Sequence, residues 1–304
     1  MNKYLNLIKS GIIVALLSTQ VSAAPVDEQP IDQPSKKEKL RIVSLLPSTT
    51  EILFALGLNE EIIGVTKYCK YPPEAQNKTI VGGLIDTNYE IVYRLHPDLV
   101  VLASEHADHQ AKFKDMGINV LQVETRRVSS VLESIERIGE AVGRPKEAAA
   151  VKEKIQHKID TIREKTKGIP KPRVLITFLR SVGEGDIRDV YIAGDFTYFN
   201  DILDIVGAEN AYQGSTLITS PVMSAEGILQ LDPDIIIEAM APLSETNLTT
   251  QDVLKDWDIL PELKAYKNKR IYILTGSYID IPGPRLIEAL DDIVRSVHPQ
   301  IDWN

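Results

Sequence analysis

The chain has 304 residues, 43% hydrophobic and 25% charged, which is enough for two globular domains with ordinary cores and too apolar for a disordered chain. Its 34 basic and 43 acidic side chains give a net charge of −9, which argues against an electrostatic grip on nucleic acid or an anionic membrane. The single cysteine, Cys69, excludes an intramolecular disulfide and any CxxC zinc or redox site.

Lys3 and Lys9 precede the apolar run Gly11–Leu17, and small residues follow at Val21-Ser22-Ala23-Ala24. This pattern predicts a cleavable secretory signal peptide over 1–24, since the run is well short of the ~20 residues that cross a bilayer. No cysteine sits near the cleavage point, so an exported product without a lipid anchor is expected. Residues 25–39 carry three prolines and many charges with no apolar period and read as a flexible tether. From Leu40 onward, β-rich runs alternate with helical patterns. Arg41–Leu46 reads as a strand; Pro47-Ser48-Thr49-Thr50-Glu51 opens a helix with Ser48 and Glu51 spaced as a capping box, and Gly57 stops it. Further strands are expected at 62–66, 98–102 and 120–123. The pattern predicts an α/β protein with mainly parallel sheets.

An internal repeat organises the chain. Glu90-Ile-Val-Tyr-Arg-Leu-His-Pro-Asp-Leu-Val-Val returns 136 residues later as Glu226-Gly-Ile-Leu-Gln-Leu-Asp-Pro-Asp-Ile-Ile-Ile. In both copies a short helix begins near the glutamate, a Pro-Asp turn ends it, and a buried strand follows. Ile52–Asn59 corresponds loosely to Ile202–Glu209, each behind a strand, at 41–46 and 173–178. Three correspondences in one order predict two lobes of like topology. Between them, 145–167 begins with proline, is rich in Ala, Glu and Lys, and carries the stripe Val151, Ile155, Ile159 and Ile162. A single helix about 35 Å long is expected there, giving a lobe at 40–144, a linking helix at 145–168 and a second lobe at 169–304.

The sequence shows no GxSxG elbow, Walker loop or GxGxxG, so nothing supports catalysis. Cys69 reads either as a packed side chain or as the nucleophile of an envelope enzyme. His106 and His109, three apart after a strand, read as a polar helical turn or as two ligands of a metal-binding protein. A dedicated site would need further converging donors. What remains is recognition between two lobes, by residues just beyond the strand ends: Pro47, Ser48 and Thr49; Tyr68 to Tyr71; Phe178 to Arg180; Ser277, Tyr278, Asp280 and Arg285. Exposed tyrosines there would suit a large planar organic ligand; packed inside, they would be core.

Arg41–Gly57, Tyr71-Pro-Pro-Glu-Ala, Glu90 through Leu-His-Pro-Asp-Leu-Val-Val, and Gly283-Pro-Arg-Leu-Ile-Glu-Ala-Leu resemble the periplasmic binding proteins of vitamin B12, siderophore and haem ABC importers, and most of all the cobalamin-binding branch. The resemblance runs from residue 40 to the C-terminus. It implies two Rossmann-like lobes joined by one long helix, a monomer, no enzymatic activity and no resident cofactor. It also implies a corrinoid captured between the lobes and an ABC permease dimer as partner. Glu90 and Glu226 match the family's acids that pair with permease arginines, one per lobe, and the repeat offers related carboxylates to two equivalent subunits. Leu84 stands where a cleft tryptophan could follow, and Ser277 and Ile281 where charged or polar contacts are expected. An anionic siderophore would call on Arg180, Arg188 or Arg285, and haem on Tyr71 as an axial ligand.

Overall fold

A computed structural model of the chain describes residues 39–303 except 106, 215–217, 241 and 246. The signal peptide expected at 1–24, all but the last residue of the tether expected at 25–39, and His106 lie outside the described residues.

The first lobe runs β1 (Ile42–Ser44), α1 (Pro47–Ala55), β2 (Ile62–Val65), β3 (Thr79–Ile80), α2 (Tyr89–Arg94), β4 (Leu99–Ala103), α3 (Ala107–Asp115), β5 (Asn119–Val123) and α4 (Val128–Ala141). Its sheet has the order β3-β2-β1-β4-β5 and is parallel throughout. The central strands β1 and β4 are buried along their whole length. They therefore read as continuous apolar runs instead of alternating ones, as a sheet covered on both faces requires. Helix α5 (Pro145–Thr166) follows. The second lobe runs β6 (Arg173–Leu179), β7 (Val190–Ile192), α6 (Tyr198–Ile205), β8 (Glu209–Asn210), β9 (Val222–Met223), α7 (Ala225–Leu231), β10 (Ile235–Ala239), α8 (Thr250–Lys255), α9 (Lys264–Lys267), β11 (Ile271–Leu274) and α10 (Leu286–Val297). Its sheet has the order β11-β10-β6-β7-β9, with β8 also pairing to β6. The β6–β7 and β7–β9 pairs are antiparallel, so the sheets are mainly parallel, as the alternating pattern predicts.

The repeat is built into the hydrogen bonding. Asn88 and Ser224 cap α2 and α7 in the same way, each side chain accepting from the backbone N–H three residues on. The two glutamates occupy equivalent positions in the first turn, where a carboxylate is favoured by the helix dipole. Both helices end in a non-glycine residue with positive φ ahead of proline, His96 at 46° and Asp232 at 41°. Arg41 Nη2 donates to Leu95 O at 2.6 Å and Arg173 Nη1 to Leu231 O at 2.8 Å. The backbone N–H groups of the same arginines donate to Asp98 at 2.8 Å and Asp234 at 2.9 Å. One capping and strand-entry device thus serves both lobes.

On α5, Ile155, Ile159 and Ile162 are buried, three positions of the apolar stripe. The helix packs on α4 of the first lobe and on α6 and α10 of the second, with a Lys158–Asp291 ion pair toward α10. In α10, Leu286, Leu290, Ile293, Val294 and Val297 turn one face inward.

The capping box expected at Ser48 and Glu51 does not form. Helix α1 begins at Pro47 behind Leu46, and no side chain caps it. Hydroxyls of Thr49 and Thr50 instead donate to Leu46 O, and Glu51 leaves the helix terminus for a partner in the other lobe.

Candidate functional site

Two ion pairs of opposite sense tie the lobes to each other. From α1, Glu51 accepts from Arg285 Nε at 2.9 Å and Nη2 at 2.5 Å. Arg285 stands at the start of α10, and its Nη1 also donates to Ser277 Oγ at 2.9 Å. Gly283 fits against Ser48 and Glu51: a Cβ there would meet backbone atoms of Ser48 and the Glu51 carboxylate at 3.6–3.7 Å. In the reverse sense, Arg127, ahead of α4, donates from Nε to Asp201 of α6 at 2.8 Å and from Nη2 to the other carboxylate oxygen. The Val128 N–H adds a third bond to Asp201 at 2.9 Å. Fork-to-fork pairs of this kind fix orientation as well as distance.

Each of these arginines lies over an aromatic ring of the lobe it reaches toward. The Arg285 guanidinium is 3.9 Å from the Tyr71 ring centroid, and that of Arg127 is 5.4 Å from Phe196. Tyr71 is 43% and Phe196 56% exposed. One open aromatic face from each lobe is therefore held beside an interlobe ion pair, an arrangement that combines flat apolar surface with a rigid polar floor.

The floor is electrostatically unusual. Burial pushes the Glu51 carboxyl above its ordinary range, against the lowering by the Arg285 hydrogen bonds and charge. Asp280 is exposed to solvent but flanked by protein. Desolvation by those walls raises its carboxyl, and Arg285 opposes the rise. The Tyr198 hydroxyl is buried without a hydrogen-bond partner and its pKa is raised, by desolvation first and then by Glu51 and Asp280. The Tyr278 hydroxyl is pushed up to about 12 by burial and by its bond to Asp292 at 2.5 Å.

The other residues named from the sequence take varied places. Pro47 is half-buried at the start of α1, and Ser48 is buried against Gly283. Tyr68 is exposed beneath the Lys67 ammonium. Leu84 is half-buried, whereas its neighbour Ile85 is the exposed apolar side chain. Phe178 turns inward and stacks on Phe199 at 6.1 Å, leaving Leu179 as the open apolar residue of that strand end. Arg180 is spent on Glu238 and Asp256 in the lobe interior, Arg188 pairs with Asp186, and Arg285 is committed to Glu51. Cys69 is buried, with Thr50 and Thr66 hydroxyls at 3.1 and 3.2 Å from its sulfur, and burial raises its thiol pKa. His109 lies on α3 with its ring 5.6 Å from that of Tyr89. Among the described residues no cluster of three or more His, Cys, Asp or Glu could hold a metal ion. Glu90 and Glu226 are exposed on α2 and α7.

Sequence reasoning missed Arg127, Asp201, Phe196 and Tyr198. Arg127 and Asp201 are 74 residues apart, and no local spacing marks a pair that meets across lobes. The Glu51–Arg285 pair was invisible for the same reason.

Two α/β lobes are thus joined by two ion pairs, each with an exposed aromatic ring beside it. The chain belongs to the periplasmic binding protein family, whose model matches residues 42–278. It is 35% identical over 269 residues to the uncharacterized ABC transporter substrate-binding lipoprotein YvrC of Bacillus subtilis, covering 87% of this chain and 82% of that one. It is 24% identical over 266 residues to a cobalamin-binding protein of Halobacterium salinarum, covering 86% of this chain and 70% of that one. Its fold matches the periplasmic haem-binding protein BhuT, solved with two haems, at a TM-score of 0.74 and 22% identity over 86% of this chain and 99% of that one. The protein is thus an ABC transporter substrate-binding protein and not an enzyme; members of this family carry transported ligands, not cofactors. Among the described residues no helix is long and apolar enough to cross a membrane.

Proposed function

We propose that the protein captures a corrinoid such as cobalamin between its lobes, in the periplasm, and delivers it to an inner-membrane ABC permease. The observation that carries this reading is the reciprocal placement of Tyr71 and Phe196, one open ring from each lobe beside an interlobe arginine. Tyr68 and Leu179 add open apolar surface. A large, broadly apolar ring system with polar substituents matches such a site, and the commitment of Arg180, Arg188 and Arg285 to carboxylates argues against a highly anionic iron–siderophore complex. The cobalamin-binding relative supports the same direction. Haem is the second reading, favoured by the open phenol of Tyr71 as a candidate axial ligand.

In this proposal Glu90 and Glu226 meet the permease. Their support is the matched caps and equivalent first-turn positions on the two lobes, which suit a partner built of two like subunits. Own-backbone and Ser224 hydrogen bonds hold the Glu226 carboxyl below its usual range, so it stays charged.

The test is calorimetric titration of the purified protein with cyanocobalamin, haemin and ferric siderophores in parallel. One-to-one binding of cyanocobalamin at about micromolar strength or tighter is the expected result. Comparable binding of a siderophore or haemin, with none of cyanocobalamin, overturns the ligand assignment.

A further inference from the structure

The end of β6 leads into a segment, 180–189, whose conformation is dictated from the interior of the second lobe. Asp256 is fully buried. Its Oδ2 accepts from Arg180 Nη1 at 2.7 Å and from the Gly183 N–H at 2.7 Å, and its Oδ1 accepts from the Gly185 N–H at 2.6 Å. Arg180 in turn pairs with Glu238, which also accepts from Trp257 Nε1 at 3.0 Å. The guanidinium lies 5.6 Å from the Trp257 ring. Gly183 and Gly185 have φ of +76° and +71°, a conformation that side chains with a Cβ resist. One carboxylate therefore fixes two left-handed turns of a surface loop at once.

The loop borders a hollow of about 480 Å³, lined in part by Leu179, Ser181, Glu184, Asp189 and Tyr191. It lies at the C-terminal end of β6, and β11, after which Arg285 follows, runs parallel to β10 and β10 to β6, so these strands end on the same side of the sheet. Leu179 is 59% exposed, and its position at the loop's root depends on where 180–189 is held.

Resting on the reading that ligand enters at these strand ends, we infer that Asp256 is a positioning residue for ligand capture. It touches no ligand itself, but through Gly183, Gly185 and Arg180 it keeps the second-lobe wall of the cleft in the shape that receives one. A loop freed from Asp256 spends only part of its time in that shape, and apparent affinity falls by the fraction that remains competent. The loss belongs to association, because a complex once formed holds the same contacts.

The test compares wild-type protein with Asp256→Asn and Gly185→Ala by stopped-flow binding of cyanocobalamin, alongside thermal unfolding. Asp256→Asn removes the acceptor from one amide. Gly185→Ala strains the loop from outside, where an added Cβ meets nothing within 4 Å, and leaves the buried ion pairs in place, so the test survives if Asp256→Asn fails to fold. Association slowed by about tenfold, with dissociation unchanged within about twofold, is expected for the folded variants. A purely structural role would lower the thermal midpoint and leave association alone; association within twofold of wild type in Gly185→Ala overturns the inference. If wild-type protein takes up haemin and not cyanocobalamin, the ligand assignment fails and the same rate comparison with haemin decides this inference separately. If wild-type protein binds neither probe, the cleft reading falls and takes the inference with it.

Discussion

Glu51 and Arg285 are 234 residues apart in the chain and form a two-pronged ion pair across the lobes, both with side chains almost wholly removed from solvent. Taking two charges out of water is unfavourable, and only close, oriented bonding offsets it. Loss of one partner leaves the other buried and unpaired. Arg285→Ala is therefore expected to lower unfolding stability by roughly 3–5 kcal/mol, while Glu51→Leu combined with Arg285→Met is expected to cost much less than the sum of the single changes. A double-mutant cycle in urea measures the coupling. Additive losses would show that the pair does not hold the lobes.

Glu238 and Asp256 share one guanidinium in the interior of the second lobe, and desolvation raises the Glu238 carboxyl above 4.5, with Arg180 opposing and Asp256 reinforcing the rise. Between the unfolded pKa and the raised folded one, the native state binds more protons than the unfolded state, so stability falls as pH rises through that window. Wild-type protein is expected to gain stability relative to Glu238→Gln as pH is lowered from neutrality toward 4.5. Denaturant titrations of both proteins at a series of pH values check the sign. A difference that shrinks on acidification contradicts it.

Cys69 is enclosed, accepts a hydrogen bond from Thr50 and has its thiol pKa raised by burial. A thiol so placed supplies little thiolate and little access. Its reaction with a disulfide reagent in native protein is expected to be slower than in denaturant by about two orders of magnitude. Rapid modification without unfolding would show that the pocket around Cys69 opens.

Glu90 and Glu226 are exposed and take no part in the interlobe ion pairs, so Glu90→Lys together with Glu226→Lys is expected to leave ligand affinity within about twofold while transport falls by tenfold or more, the behaviour of rim charges that govern encounter and register. Uptake of labelled ligand by cells carrying the variant as the sole copy is the measurement. Undiminished uptake removes both residues from the docking role. Glu90 has Arg94 at 3.6 Å, which screens it in part, so Glu226→Lys alone is expected to be the more damaging single change.

The fold was legible wherever the signal was local or repeated. The Leu-His-Pro-Asp and Leu-Asp-Pro-Asp phrases located two equivalent turns and the buried strands behind them, and the isoleucine stripe of 155–162 located the buried face of α5. The site was legible only in part. Pro47, Ser48, Tyr71 and Arg285 were read from strand ends, and the structure brings Gly283 against Ser48 and Arg285 over Tyr71. Phe178 turns inward while Leu179 is exposed, and Leu84 is half-buried while Ile85 is exposed; a one-residue step decides which side chain turns outward, and periodicity is too short at a strand end to set it. Ser48 and Glu51 carry the spacing of a capping box, but the guanidinium of Arg285 is a stronger partner for a carboxylate than a backbone N–H, and no sequence window contains both residues.

A ligand captured between the lobes, as proposed, would touch both. Tyr71→Ser and Phe196→Ser each remove one open ring, from opposite lobes. The decisive measurement is titration calorimetry of both variants and wild-type protein with cyanocobalamin. Capture between the lobes predicts that each variant weakens binding by about tenfold, since stacking of a flat ligand face on an aromatic side chain contributes on the order of 1 kcal/mol or more. Binding that is weakened by only one substitution, or by neither, places the ligand on a single lobe or elsewhere and contradicts the account.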